Sequence, residues 1–322
     1  MRISKAFMIN PTVPHRRKPK QILFVLFLLA CIFPFVTPPV ALAIGLSFGW
    51  LFNHEPGSFH RKSARILLQA SVVGLGFGID LQRMLEVSQI GIGFSVGVIF
   101  VALVLGTWAG RRLSLTRRTT HLISSGTAIC GGSAIAALGP VVEAEEREIS
   151  VALGTVFLLN AVALFLFPVI GQLLKMTSLQ FGVWSAIAIH DTSSVVGSAA
   201  RFGDEALAIA TTVKLGRTLW LIPLLLLSAL FFHNKSRKFQ IPYFVLFFVV
   251  ASLLRTVMHP IAEISATIVW LARIGLTITL FLIGATLTRR MVRSVGIRPF
   301  VHGTMLWIVI SVCSLLAVHF FL

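Results

Sequence analysis

The sequence predicts an all-α, polytopic membrane protein with about ten or eleven transmembrane helices. Hydrophobic residues make up 56% of its 322 residues, charged residues only 12%, and the mean hydropathy is +0.91. Apolar runs of roughly twenty residues recur from end to end, and one such run spans the hydrocarbon core of a bilayer, about 30 Å. Soluble α/β enzymes do not have this composition, so a membrane-embedded helix bundle is the expected fold class.

The formal net charge of +17 has a different meaning here than in a soluble protein. Clustered Lys and Arg would indicate nucleic acid in a soluble chain, whereas beside apolar segments they report membrane topology. We therefore expect the lipid bilayer, and no nucleic acid, as a partner. Cys31, Cys130 and Cys313 lie in apolar segments without CxxC or Cys/His spacing. Neither a disulfide framework, a metal site nor a cofactor is predicted.

Eleven apolar segments follow a basic tail, residues 1–20, that we predict to be cytoplasmic. They cover residues 21–37, 38–53, 63–84, 88–110, 119–142, 147–174, 180–200, 206–233, 241–259, 264–288 and 299–322. Because the loops between them are short, residues 21–322 are expected to form a single transmembrane transporter domain. The second segment is short and opens with Pro38-Pro39, so the first two segments could instead form a hairpin that does not fully span.

The distribution of charge predicts which ends are cytoplasmic. If the N-terminus is inside, eleven alternating crossings place most of the 28 Lys and Arg residues on the cytoplasmic side, which is the usual bias of membrane proteins. The outer loops then receive most of the acidic residues: Glu143, Glu145, Glu146, Glu148, Asp204 and Glu205. We therefore expect a multi-pass protein of the inner membrane with its N-terminus in the cytoplasm and its C-terminus outside.

Two pairs of segments resemble each other. Gly78-x-x-Leu81-x-Arg83-Met84 joins segments three and four, and Gly284-x-x-Leu287-x-Arg289-Arg290-Met291 joins segments ten and eleven. An odd number of crossings separates the pairs, so they run in opposite directions, as the halves of an inverted repeat do. The sequence thus predicts an inverted repeat.

The fifth segment contains a run of small residues, Ser124–Glu143, that should break its helix. Glycine is a poor helix former and proline interrupts the hydrogen-bond ladder, so a helix is expected to loosen around Cys130-Gly131-Gly132 and to resume until about Val142. Irregular backbone at membrane depth indicates a solute site, although small residues also permit close helix packing. The candidate substrate-binding residues here are Thr127, Cys130, Gly131, Gly132 and Ser133.

The seventh segment is interrupted near its middle by His190-Asp191-Thr192-Ser193-Ser194. Polar and ionisable groups at that depth are costly unless they face a cavity or a partner. Ser193 and Ser194 are therefore candidate substrate-binding residues, while His190 and Asp191, whose protonation can change, are candidates for proton coupling. A salt-bridged structural cluster is the alternative. We expect residues 126–134 and 190–194 to face one shared central cavity.

The eighth and tenth segments carry cations at membrane depth. Lys214 and Arg217 are expected to share a helix face with the hydroxyls of Thr211 and Thr218, and Arg273 to lie at a comparable depth. Three cations against one carboxylate, Asp191, leave a positive surplus that an anion could fill. The substrate predicted is therefore a small anion, bound by Lys214, Arg217 and Arg273. The alternative for Lys214 is an ion pair with Asp191.

Over nearly its whole length the chain resembles the bacterial family of proposed sulfate exporters. The resemblance rests on Ser125-Gly126-Thr127-Ala128-Ile129-Cys130-Gly131-Gly132-Ser133-Ala134, on Pro140-Val141-Val142-Glu143-Ala144-Glu145, on His190-Asp191 and on Lys214-Leu215-Gly216-Arg217. It implies a fold related to sodium/proton antiporters and bile-acid symporters, in which two broken helices cross at the transport site, and export of sulfate or a related sulfur oxyanion. The family usually has His-Glu where this chain has His190-Asp191, so the carboxylate is shorter here.

These observations favour a secondary transporter of a small oxyanion over two other classes. An anion channel could use the same cationic lining. A membrane-embedded enzyme could use His190 and Asp191 as an acid/base pair, but no nucleophile or metal constellation accompanies them. We therefore expect a transporter and not an enzyme, working by alternating access, and the sequence leaves a homodimer open.

Overall fold

The computed structural model describes residues 18–33, 35–52, 58–79, 81–232, 243–286, 288–289, 293 and 295–322. The regular structure of these residues is α-helical. In chain order the helices are α1 (Lys18–Ala30), α2 (Pro38–Phe52), α3 (Ser58–Gly76), α4 (Leu81–Arg112), α5 (Arg117–Ala128), α6 (Gly132–Val141) and α7 (Glu146–Leu173). They continue as α8 (Ser178–Ala188), α9 (Thr192–Phe202), α10 (Asp204–Thr218), α11 (Leu221–Phe231), α12 (Tyr243–Val257), α13 (His259–Thr286) and α14 (Ile297–Phe321).

The predicted class, an all-α polytopic membrane protein, is confirmed. Five stretches of the described residues are long and apolar enough to span a bilayer: Gly93–Arg112, Glu146–Leu173, Asp204–Phe231, Glu263–Thr286 and Ile297–Phe321. Each predicted apolar segment corresponds to one helix or to two consecutive helices. Of the predicted tail, residues 1–20, positions 1–17 lie outside the described residues, and positions 18–20 belong to α1.

The third segment ends earlier than predicted. It was expected to extend to residue 84, but α3 ends at Gly76 and α4 begins at Leu81. The amide of Gly78 donates to the carbonyl of Leu75, and the amide of Ile79 to that of Gly76, which are tight-turn bonds. The glycines in this turn end the helix, because they favour irregular backbone over continued helix.

Helices α5 and α6 form a re-entrant hairpin, which we call hairpin 1. The hydroxyl of Thr116, just before α5, donates to the carboxylate of Glu148, at the start of α7, over 2.6 Å. If α5 and α6 continued in one direction, their 12 and 10 residues would separate these positions by about 30 Å at 1.5 Å per residue. A methyl group built on Gly126 would also lie 2.9 Å from Ile135, across the turn. The chain therefore turns back at Ile129–Gly131.

Helices α8 and α9 form a second re-entrant hairpin, hairpin 2. The rings of Phe181, in the first turn of α8, and Phe202, at the end of α9, stack with centroids 3.9 Å apart. Both rings also lie beside Gly171 near the end of α7. Hairpin 2 therefore enters and leaves the membrane at the same face. It joins α10 through a single residue, Gly203. The φ of this residue is 151°, a backbone conformation that residues other than glycine rarely adopt.

These contacts correct the expected topology. The broken fifth and seventh segments do not cross the membrane: each turns back, so both are re-entrant. We call the face where α4 ends and α5 begins face A, and the opposite face B. Because α7 runs from face A to face B, hairpin 1 enters from A and hairpin 2 from B.

The re-entrant hairpins also move several charged residues to the other face. The acidic residues at the start of α7, Glu143 to Glu148, lie at face A and not on the side of Asp204 and Glu205, as eleven crossings would require. Lys175, between α7 and α8, lies at face B with Asp204. The arginines at the end of α4 and at the start of α5 remain at face A. Because two crossings are replaced by two hairpins, the faces assigned to the segments outside 119–200 relative to one another do not change.

Helix α13 holds α2 and α3 through very close backbone contacts. A methyl group on Gly45 would lie 2.1 Å from the carbonyl oxygen of Phe281, and one on Gly49 would lie 2.7 Å from that of Ala285. Small residues four apart allow two membrane helices to approach in this way. These contacts show that α2 and α13 run in the same direction, whereas the contacts of Gly74 with Ala272 and of Gly275 with Ser71 make α3 antiparallel to α13. The opposite directions expected for the two repeat pairs are therefore present.

The re-entrant topology predicts which positions a reagent can reach from each face. Single cysteines replacing Ser114 and Glu146 should react with a membrane-impermeant maleimide from one face, and those replacing Lys175 and Asp204 from the other. All four side chains are exposed. The measurement is labelling of intact cells against inverted membrane vesicles. Labelling of positions 114 and 146 from opposite faces would restore the eleven-crossing topology.

Candidate functional site

The tip of hairpin 1 is the break that the sequence predicted. Helix α5 ends at Ala128 and α6 begins at Gly132, on the two sides of Cys130-Gly131. Gly131 has φ +62°, and its amide donates to the carbonyl of Gly126 over 2.8 Å, which closes the turn. Positive φ is readily adopted by glycine, so the residue type fixes the place where the helix can reverse.

The tip of hairpin 2 lies at the predicted polar interruption. Helix α8 ends at Ala188, Ile189 has extended backbone, and Asp191 is the N-cap of α9. Its carboxylate accepts hydrogen bonds from the amide, over 3.1 Å, and the hydroxyl of Ser193. A carboxylate at the N-terminus of a helix satisfies first-turn amides and interacts favourably with the helix dipole. Asp191 is therefore held at the start of α9.

The two tips meet near the middle of the membrane. A methyl group built on Gly131 would lie 3.2 Å from the backbone nitrogen and Cα of Asp191. Gly132 lies beside Phe157, and the amide of His190 donates to the side-chain oxygen of Asn160 over 3.0 Å. Since Phe157 and Asn160 are close to the midpoint of α7, Glu146–Leu173, both tips lie about halfway between the faces. The two predicted stretches therefore lie together at the tips, and the central cavity expected between them stays a prediction.

Lys214 and Arg217 of α10 bind the carbonyl ends of the inward-running helices. The ammonium of Lys214 donates to the carbonyls of Ala186, over 3.2 Å, and Ile189, over 2.8 Å. The guanidinium of Arg217 donates through Nε to Ala128, over 2.9 Å, and through Nη1 to Ile187. Both side chains are fully buried, with at most 1% exposed. Each cation thus satisfies carbonyls that the end of a helix leaves unpaired, and offsets the negative end of its dipole.

The surplus positive charge therefore has an explanation that the sequence did not reveal. Among the described residues no carboxylate lies within ion-pair distance of Lys214 or Arg217, so the alternative of a Lys214–Asp191 pair is not observed. The hydroxyls expected to share a face with the two cations donate within their own helix: Thr211 to the carbonyl of Leu207, and Thr218 to that of Lys214. Hydroxyls in apolar helices commonly donate to the carbonyl four residues earlier, because no solvent competes for it.

Arg273 was expected at the site but lies apart from it. Its side chain is 44% exposed and donates to the carboxylate of Asp204, which is 75% exposed, over 2.9 Å. Asp204 begins α10 at face B, so the long arginine side chain reaches toward that face. Counting residues along a helix predicted the depth of the Arg273 backbone. It did not predict that the long side chain reaches from there to Asp204.

The remaining predicted site residues lie at the tips with differing exposure. The buried side chains are those of Thr127, Cys130, His190, Asp191, Ser193 and Ser194, each at most 9% exposed. Gly131 and Gly132 are also buried, whereas Ser133, in the first turn of α6, is exposed. No side chain caps α6, because its N-cap is Gly131. The exposed hydroxyl of Ser133 therefore lies beside the positive end of an uncapped helix.

Several buried polar atoms around the tips have no hydrogen-bond partner. They are Thr127 Oγ1, Asn160 Nδ2 and both ring nitrogens of His190. Buried polar groups are normally paired, so unpaired ones near a helix break indicate a place where a ligand or proton could bind. Sequence analysis missed Asn160, although a lone amide in the middle of the apolar stretch FLLNAVAL is the kind of signal that marks a membrane-embedded site.

Comparisons with known proteins agree on one family. The model for the family described as Conserved hypothetical protein 698 matches residues 26–303. A UPF0324 membrane protein of Bacteroides thetaiotaomicron is 50% identical over 287 residues, which cover 88% of this chain and 87% of the relative. Similar proteins of the same description occur in Porphyromonas gingivalis, 51% identical over 87% of this chain and 86% of the relative, and in Photobacterium profundum, 45% identical over 91% and 90%. No solved structure matches this chain.

The contact between the tips predicts that Gly131→Ala will destabilise the protein. The added methyl group would meet the backbone of Asp191. The alanine would also have to adopt φ +62°, at a cost of about 1–3 kcal/mol. Gly216→Ala is the matched control, because a methyl group there has nothing within 4 Å. Thermal unfolding of the purified variants measures the difference. Equal melting temperatures for Gly131→Ala and the wild type would show that the tips are not in contact.

Proposed function

The chain belongs to the family described as Conserved hypothetical protein 698, and from its site we propose that it is a secondary transporter of a small oxyanion. The substrate class we propose is sulfate or a related sulfur oxyanion. The observation that carries the proposal is the meeting of two re-entrant hairpins, entering from opposite faces, at a buried cluster of charged and hydroxyl side chains. Irregular backbone of this kind at the membrane midplane is typical of transport sites.

The charges and donors at the tips favour an anion. Lys214 and Arg217 bring two positive charges to the tips, whereas Asp191 brings one negative charge and already accepts two hydrogen bonds from Ser193. An ammonium has three donor hydrogens and a guanidinium five, so both cations retain donors beyond those that bind carbonyls. The uncapped start of α6, with Ser133, adds a second positive pole. A tetrahedral oxyanion could accept from all of these groups.

The way the tips are held supports the alternating access that we propose. Arg217 binds Ala128 in hairpin 1 and Ile187 in hairpin 2, whereas Lys214 binds hairpin 2 alone. Arg217 therefore ties the two hairpins together at the midplane. An oxyanion that takes over donors of this guanidinium would weaken its bonds to the carbonyls. Substrate binding would thus loosen one tip and allow the site to open to one face at a time.

The two other functional classes have less support. The tip cluster is buried, with Lys214 and Arg217 at most 1% exposed, and a site closed in this way favours a transporter over an anion channel. For an enzyme, His190 and Asp191 would have to act together. The carboxylate of Asp191 binds Ser193, and neither ring nitrogen of His190 has a hydrogen-bond partner. We therefore propose that the protein is not an enzyme.

We further propose that face A is cytoplasmic and that the protein resides in the inner membrane with a cytoplasmic N-terminus. Arg111, Arg112, Arg117 and Arg118 all lie near face A, at the end of α4 and the start of α5. Arginine and lysine accumulate on the cytoplasmic side of membrane proteins. Export, as the family resemblance implies, would then run from face A to face B.

Transport in proteoliposomes tests the proposal. Wild-type protein should show saturable uptake or exchange of labelled sulfate, sulfite or thiosulfate, and Arg217→Lys and Lys214→Gln should weaken substrate affinity about ten- to a hundredfold, because each loses a charge-assisted hydrogen bond. A lysine cannot reproduce the planar grip of a guanidinium. Arg273→Gln is the matched control and should behave as the wild type, since Arg273 pairs at face B.

Three results would contradict the proposal. Currents at high unitary rate would identify a channel, and no flux of any oxyanion would argue against transport. Variants at Lys214 and Arg217 that fold well and still transport with unchanged affinity would place the anion site elsewhere.

We also propose that a proton is the coupling ion, carried by Asp191 or His190. These two titratable groups lie at the tips, and the ring of His190 is buried without a partner. An imposed pH gradient should drive transport by the wild type, and Asp191→Asn should remove that response. The amide can still accept from Ser193, so the hairpin should keep its fold. A sodium requirement without pH dependence would exclude proton coupling.

A further inference from the structure

A groove of about 840 Å³ opens at face A, away from the hairpin tips. It lies between the end of α4, the start of α5 and the end of α11. Its lining combines arginines and exposed apolar side chains, among them Val104, Leu227 and Phe231, which are 54%, 51% and 64% exposed. In a membrane-spanning bundle, exposed apolar side chains of this kind face lipid. The groove is therefore open to the side, toward the bilayer.

The mouth of the groove is strongly cationic. Arg111, Arg112 and Arg117 line it, and none of its described lining residues is acidic. The guanidinium of Arg112 lies 5.6 Å from the ring centre of Trp108, and that of Arg117 lies 5.0 Å from that of Phe232. These aromatic contacts restrict the guanidinium groups to the mouth. The mouth is thus complementary to a phosphate group.

The groove, including its mouth, has about the length of one leaflet. Its wall on α4 runs from Arg112 back to Leu103, which is about 14 Å at 1.5 Å per residue. That distance is about half of the 30 Å hydrocarbon core. Trp108 lies between the arginines and the apolar wall, at the level where tryptophan is enriched in membrane proteins. The groove thus presents, in order, a phosphate-binding mouth, an interfacial ring and a wall for an acyl chain.

We propose that this groove binds an anionic glycerophospholipid from the leaflet at face A. Its phosphate lies between Arg111, Arg112 and Arg117, and one acyl chain follows Val104 and Leu227. A free inorganic anion would use only the mouth and would leave the apolar wall exposed. The sequence that continues from Phe232, residues 233–242, carries three cations and no carboxylate, so it offers no anionic group to the arginines.

The position of the lipid gives it access to hairpin 1. The groove is bounded by α5, where His121 contacts Ser228 of α11 over 2.8 Å, so α5 and α11 touch directly below the arginines. A lipid bound at this place joins α4, α5 and α11 at face A. It therefore stabilises the base of hairpin 1 against the helix that follows Lys214 and Arg217.

Native mass spectrometry of the detergent-purified protein, with added phosphatidylglycerol or phosphatidylcholine, tests this inference. The wild type should retain phosphatidylglycerol in preference to phosphatidylcholine. Arg111→Gln combined with Arg112→Gln should weaken retention about twenty-five-fold, at about fivefold for each arginine. Arg201→Gln, an exposed arginine at face B, is the matched control and should leave retention unchanged. Val104→Trp, which fills the apolar wall, should lower retention while the arginines remain.

Each other outcome overturns the inference. Equal retention of both lipids, or retention by the double arginine variant, would exclude a phosphate site at the mouth. Thermal stabilisation by inorganic phosphate or glycerol phosphate equal to that by phosphatidylglycerol would show a free-anion site without an acyl groove. Unchanged retention in Val104→Trp, verified as folded by size-exclusion chromatography, would place the lipid elsewhere.

Discussion

The binding of helix carbonyl ends by Lys214 and Arg217 is the interaction on which the centre of the molecule depends. A hairpin that turns back inside a membrane leaves carbonyls at the end of one helix and amides at the start of the next, with no water to pair them. Here Ala128, Ala186, Ile187 and Ile189 receive their donors from two cations of α10. Without α10, either hairpin would expose those carbonyls to an apolar environment.

The same constraint accounts for the amino acids at the tips. Gly131 allows the reversal in hairpin 1 and lets the backbone of Asp191 come close, so one residue serves both the turn and the contact. In hairpin 2 the carboxylate of Asp191 supplies the acceptor that the first amides of α9 need. Charge and backbone polarity therefore match at three of the four helix ends that meet at the midplane. The start of α6 is the end with no capping side chain, and an anionic substrate is suited to that position.

Local sequence predicted the places where helices break, but not what the chain does after the break. Gly131 and the polar run at Asp191 mark the tips because glycine and N-cap chemistry act over a few residues. However, a kinked crossing helix and a re-entrant hairpin can have the same apolar sequence. The distribution of Lys and Arg did not distinguish the two topologies. When both segments turn back, Arg147 and Lys175 exchange faces, so the number of cations on each face stays the same. The role of the cations was equally hidden. Tertiary packing of α10 against α8 decides which carbonyls Lys214 reaches. The periodicity of the sequence within α10 carries no information on that packing.

The one-residue link at Gly203 connects hairpin 2 directly to α10. Since Gly203 alone separates Phe202 from Asp204, a displacement of α9 in the proposed transport cycle would carry α10 with it. Lys214 and Arg217 would then move together with the tip of hairpin 2 and would keep their bonds to Ala186, Ile187 and Ile189. The bonds between Arg217 and Ala128 join α10 to hairpin 1. In the proposed transport cycle, the two hairpins would therefore separate between Arg217 and the end of α5.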